Sequence, residues 1–434
     1  MKRLFTTKLE TWKQSPNRKP LIVRGARQVG KSYSISQFGK DSFQGKVHVV
    51  DFEKHPEWIA VFDRNLDPLR IVSELEILLS EKITSGDDLL FFDEIQAAPK
   101  AIMSLRYFFE DLPQLHVIAA GSLLEFAMQE ISFPVGRVQL MSMYPMNYYE
   151  FLLATGKEQA ADIIIQKPVK LPEPVHHMLL EQLRHFMFTG GMPECVNAWS
   201  NSNSMADVFN IQTDLLETYR QDFSKYAPYA DKRALNQAMH AVAKFMGKQI
   251  KYTQLSDDFT GPTNKKAFDL LQLARVVHKV RTTSPASLPL ESSASEKRFK
   301  AILVDLGLLR ALNDLSASVE YLRNDLLSMY HGALSEQFVG QEFLSSGLDH
   351  LYYWSREAKS SSAEVDFLIV KDNVICPIEI KGGASGRLKS MHLLLQKYPH
   401  LEQGFVLSTA PYGTIPDQRL TFLPLYYAYG LIVK

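Results

Sequence analysis

Leu21-Ile22-Val23-Arg24-Gly25-Ala26-Arg27-Gln28-Val29-Gly30-Lys31-Ser32 is the stretch from which the rest of the chain is read. Its three apolar, mostly β-branched residues predict a buried strand that Gly25 ends. A tight loop follows, and Lys31-Ser32 open a helix continued by Tyr33, Ile35 and Phe38. The pattern is G-x-x-x-x-G-K-S between a strand and a helix, the context in which it holds phosphate. The glycines permit a turn whose N–H groups converge on an anion, and the helix N-terminus adds about half a positive charge. Gly25, Ala26, Arg27, Gln28, Val29, Gly30, Lys31, Ser32 and Tyr33 are therefore the candidate nucleotide contacts. Lys31 is expected to reach the β- and γ-phosphates, and the Ser32 hydroxyl to take one Mg²⁺ position.

The totals bound the answer without naming it. A chain of 434 residues has room for about three domains and an ample core. With 46% hydrophobic and 22% charged residues it is an ordinary globular sequence. Lys+Arg and Asp+Glu both number 48, so the formal charge is +0 and any nucleic-acid site must come from local clustering. Cys195 and Cys376 lie far apart, which argues for a reducing compartment and against a disulfide framework or structural zinc. No apolar run is long enough to cross a bilayer, the nearest being around Val117-Ile118-Ala119-Ala120, and the N-terminus has no signal-peptide core. The expectation is a cytoplasmic protein with no membrane partner.

Strands and helices alternate through the first part. Val47–Phe52, Leu89–Glu94 and His116–Ser122 read as strands, and helical spacing marks 4–14, 67–82 and the run from Ile102 to Phe109. Strands apolar on both faces predict a parallel sheet covered on both sides, with ligands at the carboxyl ends of the strands. Gly25, Asp51, Asp93 and Ser122 all fall at such ends. From 167 the pattern turns helical, broken at Gly190-Gly191-Met192-Pro193, a hinge or helix break. Ala234–Met246, a turn, Lys265–Ala274 and the extended Val276–Arg281 give the outline of a winged helix. The last hundred residues read as helix 331–345, strands at Leu351–Trp354, Val365–Val370 and Val374–Lys381, helix 386–397 and strand Gly404–Leu407. The expected domains are 1–166, an α/β parallel-sheet nucleotide domain; 167–315, a helical lid and winged-helix-like region; and 316–434, a second α/β unit.

Two constellations carry chemistry. Asp93 and Glu94 close an apolar strand some sixty residues after the phosphate loop. One acid can hold Mg²⁺ through its water shell, and its neighbour can polarise a water for attack on the γ-phosphate. Ser122 reads either as a contact to that water or as the N-cap of a helix over Leu123–Met128. Arg137 reads either as a charge neutraliser in the transition state, in cis or from a neighbouring subunit of a homo-oligomer, or as a structural ion pair. The second constellation is C-terminal. Glu379 and Lys381 share one strand face, and a turn at Lys371-Asp372-Asn373 suits a hairpin that sets Asp366 beside Glu379. Two carboxylates can share a divalent cation, Glu336 can add an oxygen, and Lys381 can stabilise charge on a phosphodiester.

With those residues in hand, the sequence resembles a family of prokaryotic AAA-type P-loop ATPases with a C-terminal nuclease-like domain of unknown function. The resemblance rests on Arg18–Leu21 running into Gly25–Ser32, Phe92-Asp93-Glu94-Ile95-Gln96, Gly121-Ser122, Gly136-Arg137 and Tyr144–Phe151. It continues through Gly190–Glu194, Val304–Leu308, Glu364-Val365-Asp366-Phe367 and Pro377–Lys381. It implies ATP binding and hydrolysis with Mg²⁺ at Lys31, Ser32, Asp93 and Glu94. It also implies a restriction-endonuclease-like, PD-(D/E)XK-type core in which Glu336, Asp366, Glu379 and Lys381 match position by position, although Val365 stands where the pattern has proline. The leading expectation is an ATP-driven conformational switch acting on DNA. The alternatives are a nucleotide-gated, metal-dependent nuclease and an ATP-ordered binding module with an inactive nuclease fold.

Overall fold

The computed structural model describes residues 1, 3–122, 124–129, 131–226, 230–313, 331–358, 361–383 and 388–433. Two compact units emerge, one of Met1–Tyr144 with Leu273–Arg275, the other of Pro145–Gln272 with Val276–Lys434.

In the first unit, helix α1 (Leu4–Gln14) precedes strand β1 (Leu21–Arg24), and helix α2 (Lys31–Ser42) follows the loop. Then come β2 (Val47–Asp51), α3 (Pro68–Leu79), β3 (Leu89–Asp93), α4 (Pro99–Asp111), β4 (His116–Gly121), α5 (Leu124–Gln129) and β5 (Gln139–Ser142). The sheet order is β2-β3-β4-β1-β5, and every pairing is parallel. The expected parallel sheet is therefore present. Strands β3 and β4 are buried along their whole length, as a sheet covered on both faces requires. Phe52, Phe62, Phe92 and Phe108 fill one face with mostly edge-on ring contacts. Strand β5 has an exposed Leu140 and no apolar run, which is why its sequence gives no sign of it.

The second unit begins with helices α6 (Tyr148–Ala154), α7 (Glu158–Ile165), α8 (Glu173–Thr189), α9 (Pro193–Ser202), α10 (Met205–Asp222), α11 (Lys232–Lys244) and α12 (Gly261–Leu273). Strands β6 (Val277–Thr282) and β7 (Ser295–Leu303) form an antiparallel hairpin, and α13 (Leu306–Leu312) follows. The remainder is α14 (His331–Ser345), β8 (Leu351–Ala358), β9 (Ser361–Lys371), β10 (Val374–Ile380), α15 (Lys389–Lys397), β11 (Gly404–Ser408), β12 (Gly413–Ile415), β13 (Leu420–Pro424) and α16 (Ala428–Val433). The eight strands order as β12-β13-β11-β10-β9-β8-β6-β7.

That order runs across one expected boundary. The boundary at 315/316 itself lies outside the described residues, but β6 and β7 from before it join the sheet made by β8–β13, with β6 parallel to β8. Likewise 145–166 belongs with the second unit, whose compact body starts at Pro145. Leu123 and residues 386–387, read as parts of two helices, are also outside the described residues.

Several stretches that carried the family resemblance interlock inside this second unit. Asn147 caps α6 in a reciprocal capping box with Glu150, and the Tyr148 amide donates to Glu342 Oε1 at 2.9 Å. The Gly191 amide donates to Asp305 Oδ2 at 2.6 Å. A Cβ at Gly191 would sit 1.9 Å from the Met146 carbonyl oxygen, so only glycine fits the close approach. The helix break expected at Gly190–Pro193 is present between α8 and α9.

Candidate functional site

The phosphate loop lies where β1 ends. Gln28 and Gly30 both take left-handed backbone, with φ of 60° and 92°. A Cβ at Gly25 would lie 2.3 Å from the Met143 carbonyl oxygen, so this glycine is fixed by neighbouring backbone. Lys31 is 7% exposed, and its ammonium donates to the carbonyls of Gly25 (3.0 Å) and Ala26 (2.8 Å). Burial pulls its pKa down to about 8, against the pull of the Glu94 and Asp93 carboxylates. Such an ammonium is bonded only to loop carbonyls that an arriving phosphate can replace.

Sheet order brings the other residues to this point. With β4 between β1 and β3, Ser122 follows the strand that separates the phosphate loop from Asp93. The Ser32 hydroxyl faces the Asp93 carboxylate and lowers its pKa, while burial raises it on balance. These are hard oxygens of the kind Mg²⁺ prefers, so the pair fits the cation of a bound Mg²⁺–nucleotide. Glu94 leaves the strand in left-handed backbone, with φ 50°. The Gln96 amide donates to Glu94 Oε2 and packs on Gly121, where any Cβ would collide with it. Gln96 stood in the quoted motif without a role, and its part appears only once β3 and β4 are adjacent. Ser122 is 3% exposed, and its hydroxyl finds no hydrogen-bond partner among the described residues, so the capping role is not realised there. Tyr33 is exposed on the first turn of α2. Near the loop, Arg275 Nε donates to Glu125 Oε1 at 2.8 Å, a contact that no local sequence pattern announces.

Arg137 is corrected for a role in cis. Leu21 pairs with Gln139, so Arg137 stands at the amino ends of the parallel strands, opposite the phosphate loop. Its Nε donates to Glu110 at 2.8 Å and its guanidinium lies over Phe109, so the ion-pair reading describes it.

The C-terminal constellation assembles around a buried lysine. The β9–β10 hairpin pairs Phe367 with Ile378, bringing Asp366 beside Glu379 as the spacing suggests. Asp366 Oδ2 accepts from the Ile380 amide at 2.8 Å. Lys381 lies on Glu379 at 2.6 Å. The residue not foreseen is Lys300 of β7, 1% exposed, with its ammonium 2.8 Å from Glu336, 2.5 Å from Glu364 and 3.3 Å from Asp366. Burial and the neighbouring Asp366 raise the Glu336 pKa against the pull of Lys300. Among the described residues no three His, Cys, Asp or Glu side chains form a group that can hold a metal ion. Of the expected metal set, Glu336 and Asp366 are ion-paired to Lys300 and Glu379 to Lys381. A lysine inside the buried run Phe299-Lys300-Ala301-Ile302 was the available sign, since a buried cation needs an anionic partner.

Family models match three stretches of the chain. Residues 17–152 match a family described as "AAA domain". Residues 180–319 and 331–427 match two families described as domains of unknown function, DUF8612 and DUF4143. Among solved structures, a Walker-type ATPase of Pyrococcus abyssi aligns at 15% identity and TM-score 0.45, covering 71% of this chain and 94% of that one. The RuvB Holliday junction branch migration motor of Thermotoga maritima aligns at 13% identity and TM-score 0.30, covering 64% and 90%. AMPPCP-bound DnaA from Aquifex aeolicus aligns at 12% identity and TM-score 0.28, covering 62% and 86%. No curated protein matches. The first unit thus carries an AAA-type P-loop ATPase domain. No described helix is long and apolar enough to cross a membrane.

Proposed function

We propose that the chain binds ATP with Mg²⁺ at the Gly25–Ser32 loop and hydrolyses it to drive a conformational switch. The observation that carries this reading is the joint placement of Lys31, the Ser32–Asp93 pair and Glu94 at the carboxyl ends of β1 and β3. The loop amides and Lys31 take the phosphates, and Ser32 with Asp93 holds the cation. Glu94, oriented by Gln96, polarises the attacking water, while Ser122 presents an unpaired hydroxyl nearby. Arg137 would serve only a neighbouring subunit of a homo-oligomer.

DNA is the proposed partner, met by the α11–α12–β6–β7 region, with its winged-helix outline, and by the restriction-endonuclease-like sheet. Support for a nuclease is weak, because its carboxylates are taken by Lys300 and Lys381. Steady-state ATP hydrolysis measured alone, with single-stranded DNA and with duplex DNA tests the proposal. Mg²⁺-dependent turnover raised by one form of DNA is expected. Turnover indifferent to both would remove DNA as the partner, and absence of ATP binding would remove the whole reading.

A further inference from the structure

We infer that Lys300 is a built-in cation that closes the Glu336–Glu364–Asp366 cluster to divalent metal, so that this sheet holds its carboxylates without a metal ion. The inference stands apart from the nucleotide reading, since it concerns only the second unit.

The argument is one of donor and acceptor count. A lysine ammonium has three N–H donors and no acceptor. Three carboxylates lie 2.5–3.3 Å from the Lys300 ammonium, two of them, Glu336 and Asp366, as hydrogen-bond acceptors and Glu364 as an ion pair. The Tyr353 ring centroid lies 5.4 Å away, close enough for a cation–π contact. The remaining oxygens are largely engaged too. Glu364 Oε2 accepts from the Gln249 amide at 2.7 Å, Asp366 Oδ2 from the Ile380 amide at 2.8 Å, and Glu379 Oε1 from Lys381 at 2.6 Å. Glu379 Oε2 alone in this set is buried with no hydrogen-bond partner among the described residues.

Mg²⁺ needs near-octahedral oxygens at about 2.0–2.1 Å. To gain them here it would have to stand within a few ångströms of the buried Lys300 ammonium, a like charge that repels it. Lys300 sits in the buried half of β7 with 1% of its side chain exposed. Its position is therefore that of a permanent counter-ion rather than a mobile gate.

Mn²⁺ titration of the full chain without nucleotide, read by electron paramagnetic resonance, tests this. The wild type is expected to bind no Mn²⁺ that Asp366→Asn removes. Lys300→Met, neutral and of similar length, is expected to gain one Mn²⁺ site, lost again in Lys300→Met with Asp366→Asn, and to melt higher when Mn²⁺ is added. Mn²⁺ bound by the wild type and lost on Asp366→Asn would overturn the inference. So would a folded Lys300→Met protein, verified by circular dichroism, that binds none. Should Lys300→Met fail to fold, the wild-type arm decides alone.

Discussion

The Ser32 hydroxyl faces the Asp93 carboxylate, so the first residue pair of α2 meets the end of β3 across the intervening β4. That link lets a loop near residue 30 and an acid near residue 90 act on one phosphate group. Replacing Asp93 with Ala removes the acid while leaving the loop backbone intact. Nucleotide binding in the absence of Mg²⁺ should then persist, with the gain that Mg²⁺ normally brings abolished. Calorimetric titration with and without Mg²⁺ checks it.

Glu94 lies next to Asp93 but points its carboxylate at Gln96. Glu94→Gln should leave ATP affinity within about threefold and lower kcat about 10²-fold or more, the usual scale for a lost general base. Single-turnover hydrolysis with a filter-binding assay separates the two effects.

Lys31 gives a pH dependence with a definite sign. Its pKa in the nucleotide-free fold is about 8, below the ordinary lysine value of 10.5. Between those two values the unfolded chain binds more protons, so this group makes the nucleotide-free fold more stable as pH rises through the window. ATP binding runs the other way, because the phosphates need the ammonium. Affinity should fall about tenfold from pH 7 to pH 9 as the free site loses its proton, with one proton taken up on binding at the higher pH. Binding enthalpies in buffers of different ionisation heat measure that proton.

Asp305 accepts from the amides of Gly191 and Leu308 while fully enclosed, and burial lifts its pKa to about 6. Asp305→Ala would leave both amides unpaired and uncap α13, costing about 2–4 kcal/mol. Chemical denaturation should show the loss in the second unit, with ATP binding by the first unit retained.

Much of the first unit was legible from Leu21–Ser32 and Leu89–Glu94. A parallel sheet needs apolar strands whose ends carry the chemistry, and both stretches have that form. The Asp366–Glu379 hairpin was legible too, because a two-residue turn fixes its own register. What could not be read depends on contacts between distant strands. The β6–β8 pairing joins regions assigned to separate domains, and no local pattern predicts a parallel partner some seventy residues away. Lys300 reaches Glu336 and Asp366 only because of that sheet. Arg137 shows the same limit in reverse: its sequence position suggested the nucleotide, and the Leu21–Gln139 register put it at the other end.

Mg²⁺-dependent steady-state ATP hydrolysis by the wild type and by Lys31→Ala tests the central claim most directly. Turnover by the wild type, reduced about 10²-fold or more in the variant, is the predicted result. Full activity in Lys31→Ala would contradict it.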